Sequence, residues 1–468
     1  MKTVLVAACV LMLLVSAHAQ TPALAITHVT VIDVENGAAQ PDMTVVIDGN
    51  TIRRIAKSGS VRIPRSATVI DGRGKFLIPG LWDMHVHFTE VDRTFPMFIA
   101  NGVTGVRNVG GDLQQLLRWR AAVDSGQLLG PQIVTCGPIV DGPEPAAHGP
   151  VVIAGNQQQG KAVVDKLKQE GADCIKVYDR LPREAYFAII DEARRKQIPV
   201  VGHVPLALTS EEAANAGQRS IEHLGNILES ASSLGARLFD QDGGPVKDPS
   251  EFPRRLAARG ERMLATYDTT KAAQIFAAFV KNKTWQVPTL ETKWTLTFFD
   301  DLNQRGDERL KYIPAAERQW WTPEKNFFAR YRTPEYIVYR KKLFEKELQL
   351  VRDMRRAGVE FMTGTDLSGA YIFAGFSLHH EMELLVTAGL TPLEALQAAT
   401  LNPAKFLGQD KIAGTVSPGK RADLVLLEAN PVKDIRNTKR INAVILNGQY
   451  LSKEKLKTLL DGAEAAAK

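Results

Sequence analysis

GLWDMHVHF, residues 80–88, is the stretch whose reading decides the fold. It is apolar, it follows Pro79, and it carries His85 and His87 two apart. On a strand that spacing turns both imidazoles to one face. Seven further apolar runs follow: VTGVRNV from Val103, QIVTCGPIV from Gln132, DCIKVY from Asp173, PVVGHV from Pro199, SIEHL from Ser220, WQVPTL from Trp285 and VEFMTGTD from Val359. Helix-patterned stretches lie between many of them, among them Gln157–Glu170, Arg183–Lys196 and Ser210–Ala216. Eight strand–helix units of this kind predict an α/β fold, a (β/α)8 TIM barrel over 81–408. A doubly wound open sheet is the alternative, but no Gly-rich dinucleotide turn follows the first strand.

Outside this region the chain reads differently. AITHVTVID, MTVVIDGNTIRRIA and ATVIDGRGKFLIPG, within residues 20–80, alternate apolar and polar positions and break at Asp-Gly and Gly-Asn. GTVSPGKRADLVLLEANP and INAVILNGQYL, within 409–452, repeat the style, so the two chain ends are expected to build one small β-sandwich. Residues 453–468 are expected as a terminal helix or tail. LTPLEALQAATLNPAKFLG, with its Thr-Pro start and Gly stop, reads as one structural amphipathic helix. The segment 293–356 is a helical insertion rich in aromatics (Trp294, Phe298, Phe299, Trp320, Trp321, Phe327, Phe328, Tyr331, Tyr336, Tyr339). It follows a strand and would emerge at the catalytic face, with about a third of its rings lining a pocket. A homo-oligomer stays open, because the same rings could bury against a second copy.

The first 19 residues read as a signal peptide: Lys2, an apolar run from Val4 to Val15, then Ala17-His18-Ala19 before Gln20. The run is too short for a comfortable membrane span, so an exported, periplasmic or extracellular protein is expected. After cleavage only Cys136 and Cys174 remain, and buried free thiols are favoured over a single bridge. The 468-residue chain is 44% hydrophobic and 24% charged, with a formal charge of +6. Its Lys and Arg are scattered among acids with no basic stripe, which argues against nucleic acid and leaves a small-molecule substrate.

The chemistry gathers at the strand ends. Lys176 would be a buried ammonium, so its charge is paired, its pKa is depressed, or it is chemically altered. A carbamate formed with carbon dioxide would be a carboxylate able to bridge two metals. His203, His223 and Asp366 end three more strand candidates. One such His is usually a satisfied core residue; four His, a Lys and an Asp at the strand ends of one barrel suit divalent metal. Tyr178, two beyond Lys176, could donate to a substrate carbonyl or fill a barrel layer. His379 and His380 are expected to cap or face solvent ahead of a helix beginning near Glu381.

With these residues in place, the chain resembles the amidohydrolase superfamily, in its imidazolonepropionase-like and Xaa-Pro/Xaa-Arg dipeptidase-like branch. GLWDMHVHF, GVTGVRNVGG, CIKVY, GHV, SIEHLG, GTD, GLTPLEALQAATLNPAKFLG and GTVSPGKRADLVLLEANP carry the likeness nearly end to end. The resemblance implies that His85, His87, a carboxylated Lys176 and Asp366 hold a buried metal, and that Lys176, His203 and His223 hold a second. Zinc is the default for such ligands. It also implies substrate contact for His148 in PEPAAHGP. Asn108 departs from the Asp of many relatives and is expected away from the metals. The implied activity is hydrolysis of an amide in a dipeptide or N-acyl amino acid by metal-activated water, with Asp366 shuttling the proton. Cyclic amide or lactone hydrolysis, or deamination, would use the same core, and a metal-binding protein without turnover is a reading from another class.

Overall fold

The first chain segment supplies strands β1 (Leu24–Ile32), β2 (Ala39–Asp48), β3 (Thr51–Lys57), β4 (Thr68–Asp71) and β5 (Phe76–Pro79). The middle supplies β6 (Leu81–Val86), β7 (Val103–Asn108), β8 (Gln132–Thr135), β9 (Ile139–Asp141), β10 (Val151–Ile153), β11 (Ile175–Val177), β12 (Val200–Gly202), β13 (Ser220–Glu222) and β14 (Trp285–Val287). The last segment adds β15 (Leu424–Leu427), β16 (Ile441–Leu446) and β17 (Gln449–Ser452). This computed structural model describes residues 23–468 apart from 236–237, 239–247, 249–250, 305, 327–328 and 331. The expected signal peptide, and Phe327, Phe328 and Tyr331, lie outside the described residues.

The two chain ends share one sheet, ordered β17-β16-β15-β5-β1-β2-β3, with β4 also paired to β1. The seam between them is β15 against β5, antiparallel, with Val425 opposite Ile78 and Leu426 opposite Leu77. Alternation gives this sheet two apolar faces. Leu77, Leu424 and Leu426 join Ile26, Val45 and Ile47 in a core of their own. Ile78, Val425 and Leu427, one residue out of phase, join the main core of the α/β region. That phase relation fixes the sheet beneath the catalytic region.

The middle strands are all parallel and form β6-β7-β8 and β10-β9-β11-β12-β13-β14. The third expected strand is in fact two. It breaks at Gly137 (φ +70°) and Pro138, which has no amide to donate. Its first half pairs with β7, while Val140 in its second half pairs with Val177 of β11. The eighth expected strand makes isolated bridges, Gln286 to Phe361 and Val86 to Leu367. Its backbone nevertheless meets β14 on one side (Met362 N to Gln286 O, 2.9 Å) and β6 on the other (Asp366 N to His85 O, 2.8 Å). The result is an α/β fold of TIM-barrel-like character.

Helices cover the strands where capping and pattern agree. Gln157–Glu170 starts on Asn156, which accepts from the Gln159 amide, and stops at Gly171. Ser210–Ala216 opens with a reciprocal Thr209–Glu212 capping box. The expected single helix over 391–407 is instead two, Pro392–Ala398 and Leu401–Phe406. Pro403 cannot donate to the Ala399 carbonyl, which accepts from Trp82 N at 2.8 Å instead.

The insertion is a run of short helices ending in the long helix Pro334–Arg356. Phe299 and Trp321 pack with Tyr371 and Phe373 in a satellite core, and Trp320 is exposed. Of the insertion's described aromatics, Phe299 alone lines the large cavity at the strand ends, fewer than the third expected. The terminal helix Lys453–Ala466 packs Leu456 against Ile99. Among the described residues no helix is long and apolar enough to cross a membrane.

Candidate metal centre

The C-terminal ends of β6, β11, β12 and β13, with the 364–366 turn, deliver their side chains to the floor of one cavity of about 710 Å³. His87, Lys176, Tyr178, His203, His223, His148 and Asp366 all line it. His85 lies directly behind, fully buried. The backbone is unusual here: His223 (φ +60°), Thr289 (φ +48°) and Asp366 (φ +57°) are left-handed, a conformation that L-residues hold only when the surroundings enforce it. Gly202 makes room for the lysine, since a Cβ there would lie 2.8 Å from Lys176 Cδ.

Distances bring the four histidines and Asp366 together in one cluster. His85 Nε2 and His87 Nε2 are 3.2 Å apart, and Asp366 Oδ1 sits 3.3 Å and 3.4 Å from them. Around them the His85 and His223 rings lie 4.5 Å apart, and His203 and His223 4.9 Å. His85, His223 and Asp366 offer ligand atoms within 4.8 Å of one another, a candidate His–His–Asp metal site. Tyr178 stacks on His203 at 4.0 Å, so it reaches the cavity. Asn108 is buried beside the β6 strand, opposite Val86, and its Oδ1 accepts from Gly110 N at 3.2 Å.

Each imidazole is oriented from behind. His85 Nδ1 meets Glu222 Oε2 at 2.9 Å, and His87 Nδ1 meets the Gly110 carbonyl at 3.2 Å. His203 Nδ1 meets Asp179 Oδ1 at 2.8 Å. His223 Nδ1 meets Thr289 Oγ1 at 2.7 Å, and that hydroxyl already gives its proton to the Pro288 carbonyl. Every partner accepts, so the hydrogen-bond network assigns the proton to Nδ1 and the lone pair to Nε2 in all four rings. Two Nε2 lone pairs and a carboxylate oxygen then face one another with no proton between them.

Electrostatics sharpen the problem. Lys176 is 1% exposed and its Nζ has no hydrogen-bond partner. Burial pushes this ammonium down to about 8, although Glu222 and Asp366 pull it back. Asp83, beneath the site, is pushed up to about 7 by burial despite hydrogen bonds from Thr365.

A match to the amidohydrolase family model spans residues 76–451. The chain belongs to the amidohydrolase family. It is a hydrolase acting on carbon–nitrogen bonds. Among curated relatives, the ochratoxinase of Aspergillus niger is 22% identical over 406 residues, covering 77% of this chain and 72% of the relative. A bottromycin amidohydrolase superposes with a TM-score of 0.76 at 24% identity, covering 95% of this chain and 90% of the other. A Xaa-Pro dipeptidase with bound methionine in its active site gives 0.64 at 20%, covering 92% and 100%. At these identities the structural likeness speaks for the fold.

Several residues of this amidohydrolase site escaped the sequence reading. Glu222 is fully buried, accepting from His85, from Arg107 Nη2 at 2.9 Å and from Ser220 Oγ at 2.6 Å. Arg107 also donates to the Met84 carbonyl at 2.7 Å. Charged residues inside VTGVRNV and SIEHL were the available signal, since an unpaired charge cannot stay on such strands. Asp179 was signalled only by its place beside Tyr178. Cys136 and Cys174 form a disulfide, contrary to the favoured free thiols. They flank the junction where Asp173 N donates to Thr135 O, which sets the two strand ends side by side. The helix expected from Glu381 begins at Phe376. Neither of its histidines is a surface group: His379 is buried between Thr438 and the Asn101 carbonyl, and His380 pairs with Glu291.

Glu222 has a testable consequence. Burial alone would raise its pKa, but Arg107 and His85 outweigh this and hold it below its ordinary 4.5. Its stabilisation is therefore fully present above pH 4.5 and is lost as the pH falls below that. Glu222→Gln leaves the Arg107 guanidinium buried without a countercharge and is expected to cost about 3–5 kcal/mol in denaturant unfolding at pH 7. A loss under about 1 kcal/mol would contradict this reading of the pair.

Proposed function

We propose that the chain is a two-metal amidohydrolase that cleaves the amide bond of a dipeptide or N-acyl amino acid outside the cytoplasm. The shared tautomer carries this reading. The Nε2 lone pairs of His85 and His87 meet the Asp366 carboxylate, the His203 and His223 rings stand beside them, and Lys176, whose Nζ has no acceptor, lines the same cavity. Acceptor-backed imidazoles of this kind are the usual setting of metal-ligating histidine.

Both difficulties are relieved if the neutral Lys176 amine attacks carbon dioxide and loses a proton, leaving an N-carboxylate. Burial favours the neutral amine that this step requires. His85, His87, carboxylated Lys176 and Asp366 would then hold one divalent ion, and Lys176, His203 and His223 the other, with zinc suited to the donor set. Bound there, the ions would acidify a water and polarise the scissile carbonyl. Asp366 would take the proton of the attacking water and return it to the leaving nitrogen. Tyr178, whose hydroxyl burial keeps protonated, would donate to the carbonyl oxygen, and His148 would meet substrate at the rim.

The eight strand segments are read as one closed (β/α)8 barrel over 81–408, seated on a sandwich of 20–80 and 409–452. An export signal over 1–19 and the Cys136–Cys174 bridge together suit an oxidising compartment. The named neighbours, a Xaa-Pro dipeptidase and a bottromycin amidohydrolase, support amide substrates.

The reading is tested by a panel of dipeptides, N-acyl amino acids, lactones and aminopurines offered to metal-replete protein. Release of a free amino acid is expected. Release of ammonia alone would replace the proposal with a deaminase. Dialysis against a strong chelator should abolish turnover, and zinc should restore it; undiminished turnover would contradict the metal assignment.

A further inference from the structure

Arg340 stands out among the residues lining the cavity. It projects from the helix Pro334–Arg356 into the wall and is 8% exposed. Its Nε has no hydrogen-bond partner. Its Nη2 reaches only the Lys293 carbonyl at 3.4 Å and Thr297 Oγ1 at 3.5 Å, both near the limit of a hydrogen bond. The neighbouring cations are met: Lys293 pairs with Glu347 at 3.0 Å and Arg332 with Asp300 at 3.1 Å. Among the described residues, no carboxylate forms an ion pair with Arg340.

A guanidinium stays charged at any working pH, and burying it without a partner is costly. Its planar fork suits a carboxylate, with two parallel N–H···O bonds. The position suits a substrate. Lys293 follows Thr292, whose hydroxyl donates to the Thr365 carbonyl at 2.9 Å, and Thr365 precedes Asp366. Arg340 and Asp366 line one cavity, whose apolar surface includes Leu296 and Phe299.

We propose that Arg340 anchors the free carboxylate of the substrate, which makes the substrate an N-acyl α-amino acid or a dipeptide with an unblocked C-terminus. This deepens the amide-hydrolase reading and rests on it. An ester or amide at that carboxyl would leave the buried guanidinium without its countercharge, so blocked analogues are rejected.

Calorimetric binding of N-acetyl amino acids, one for each common side chain, against their carboxamides tests this on the full-length, metal-replete protein. The best free acid is expected to bind at least about tenfold more tightly than its carboxamide. Arg340→Met should erase that preference at unchanged metal content and unchanged thermal midpoint. Arg340→Lys, which keeps the charge but loses the fork, should retain part of it. A panel without preference for free acids, or a preference that survives in folded Arg340→Met, would overturn the proposal. Should amides be hydrolysed without any carboxylate preference, the anchor fails and the reaction stands. If the preference is seen but nothing on the panel is hydrolysed, the anchor stands and the reaction assignment fails.

Discussion

Lys176→Ala is expected to lower hydrolysis by about 10³-fold or more and to reduce bound metal by about one ion per chain. Lys176 is buried at the end of β11, faces Glu222 and Asp366 electrostatically, and leaves its Nζ without a partner. A purely structural lysine in that position would be paired. Removing a merely awkward ammonium from an apolar strand would stabilise the fold, and with both proteins freed of metal the variant should unfold no more readily than the parent. Lost metal and lost turnover in a protein of undiminished metal-free stability would mark the lysine as functional. Mass spectrometry of native protein against acid-treated protein gives a second readout, because a carbamate adds carbon dioxide and acid removes it. Full activity in Lys176→Ala would rule out the bridging role.

Asp366→Asn is expected to lower kcat by about 10²–10⁴-fold. The carboxylate stands 3.3 Å and 3.4 Å from two imidazole nitrogens. Asparagine keeps the shape and one oxygen but cannot accept and return a proton. The loss should therefore fall on kcat more than on KM for the same substrate. A matched change in both, with metal lost, would reduce Asp366 to a ligand without a proton role.

Much of this site was legible because its residues break local rules. Two imidazoles on one strand face, a lysine in CIKVY and an aspartate ending an apolar run are each expensive to bury without a purpose. Their strand-end positions follow from periodicity alone. The supporting layer was harder to read. Glu222 and Arg107 are also charges on apolar strands, but their pairing spans 115 residues of chain, and no local pattern predicts which strands adjoin. The Cys136–Cys174 bridge was hidden for the same reason. Backbone detail was lost where proline decides it: Pro138 breaks one strand and Pro403 one helix, each by a missing amide. The eighth expected strand was read from an apolar run, but the chain there makes only isolated bridges. The insertion's aromatics gave the least, since ring content says nothing about which core a ring joins; Arg340, a polar residue among them, is the one that reaches the cavity unpaired.

The central claim is a pair of metals held by six side chains. Elemental analysis of the purified, active full-length chain, run beside Lys176→Ala, tests it most directly. About two divalent ions per parent chain and about one or fewer in the variant are predicted. A parent that hydrolyses amides with one ion per chain or none would contradict it.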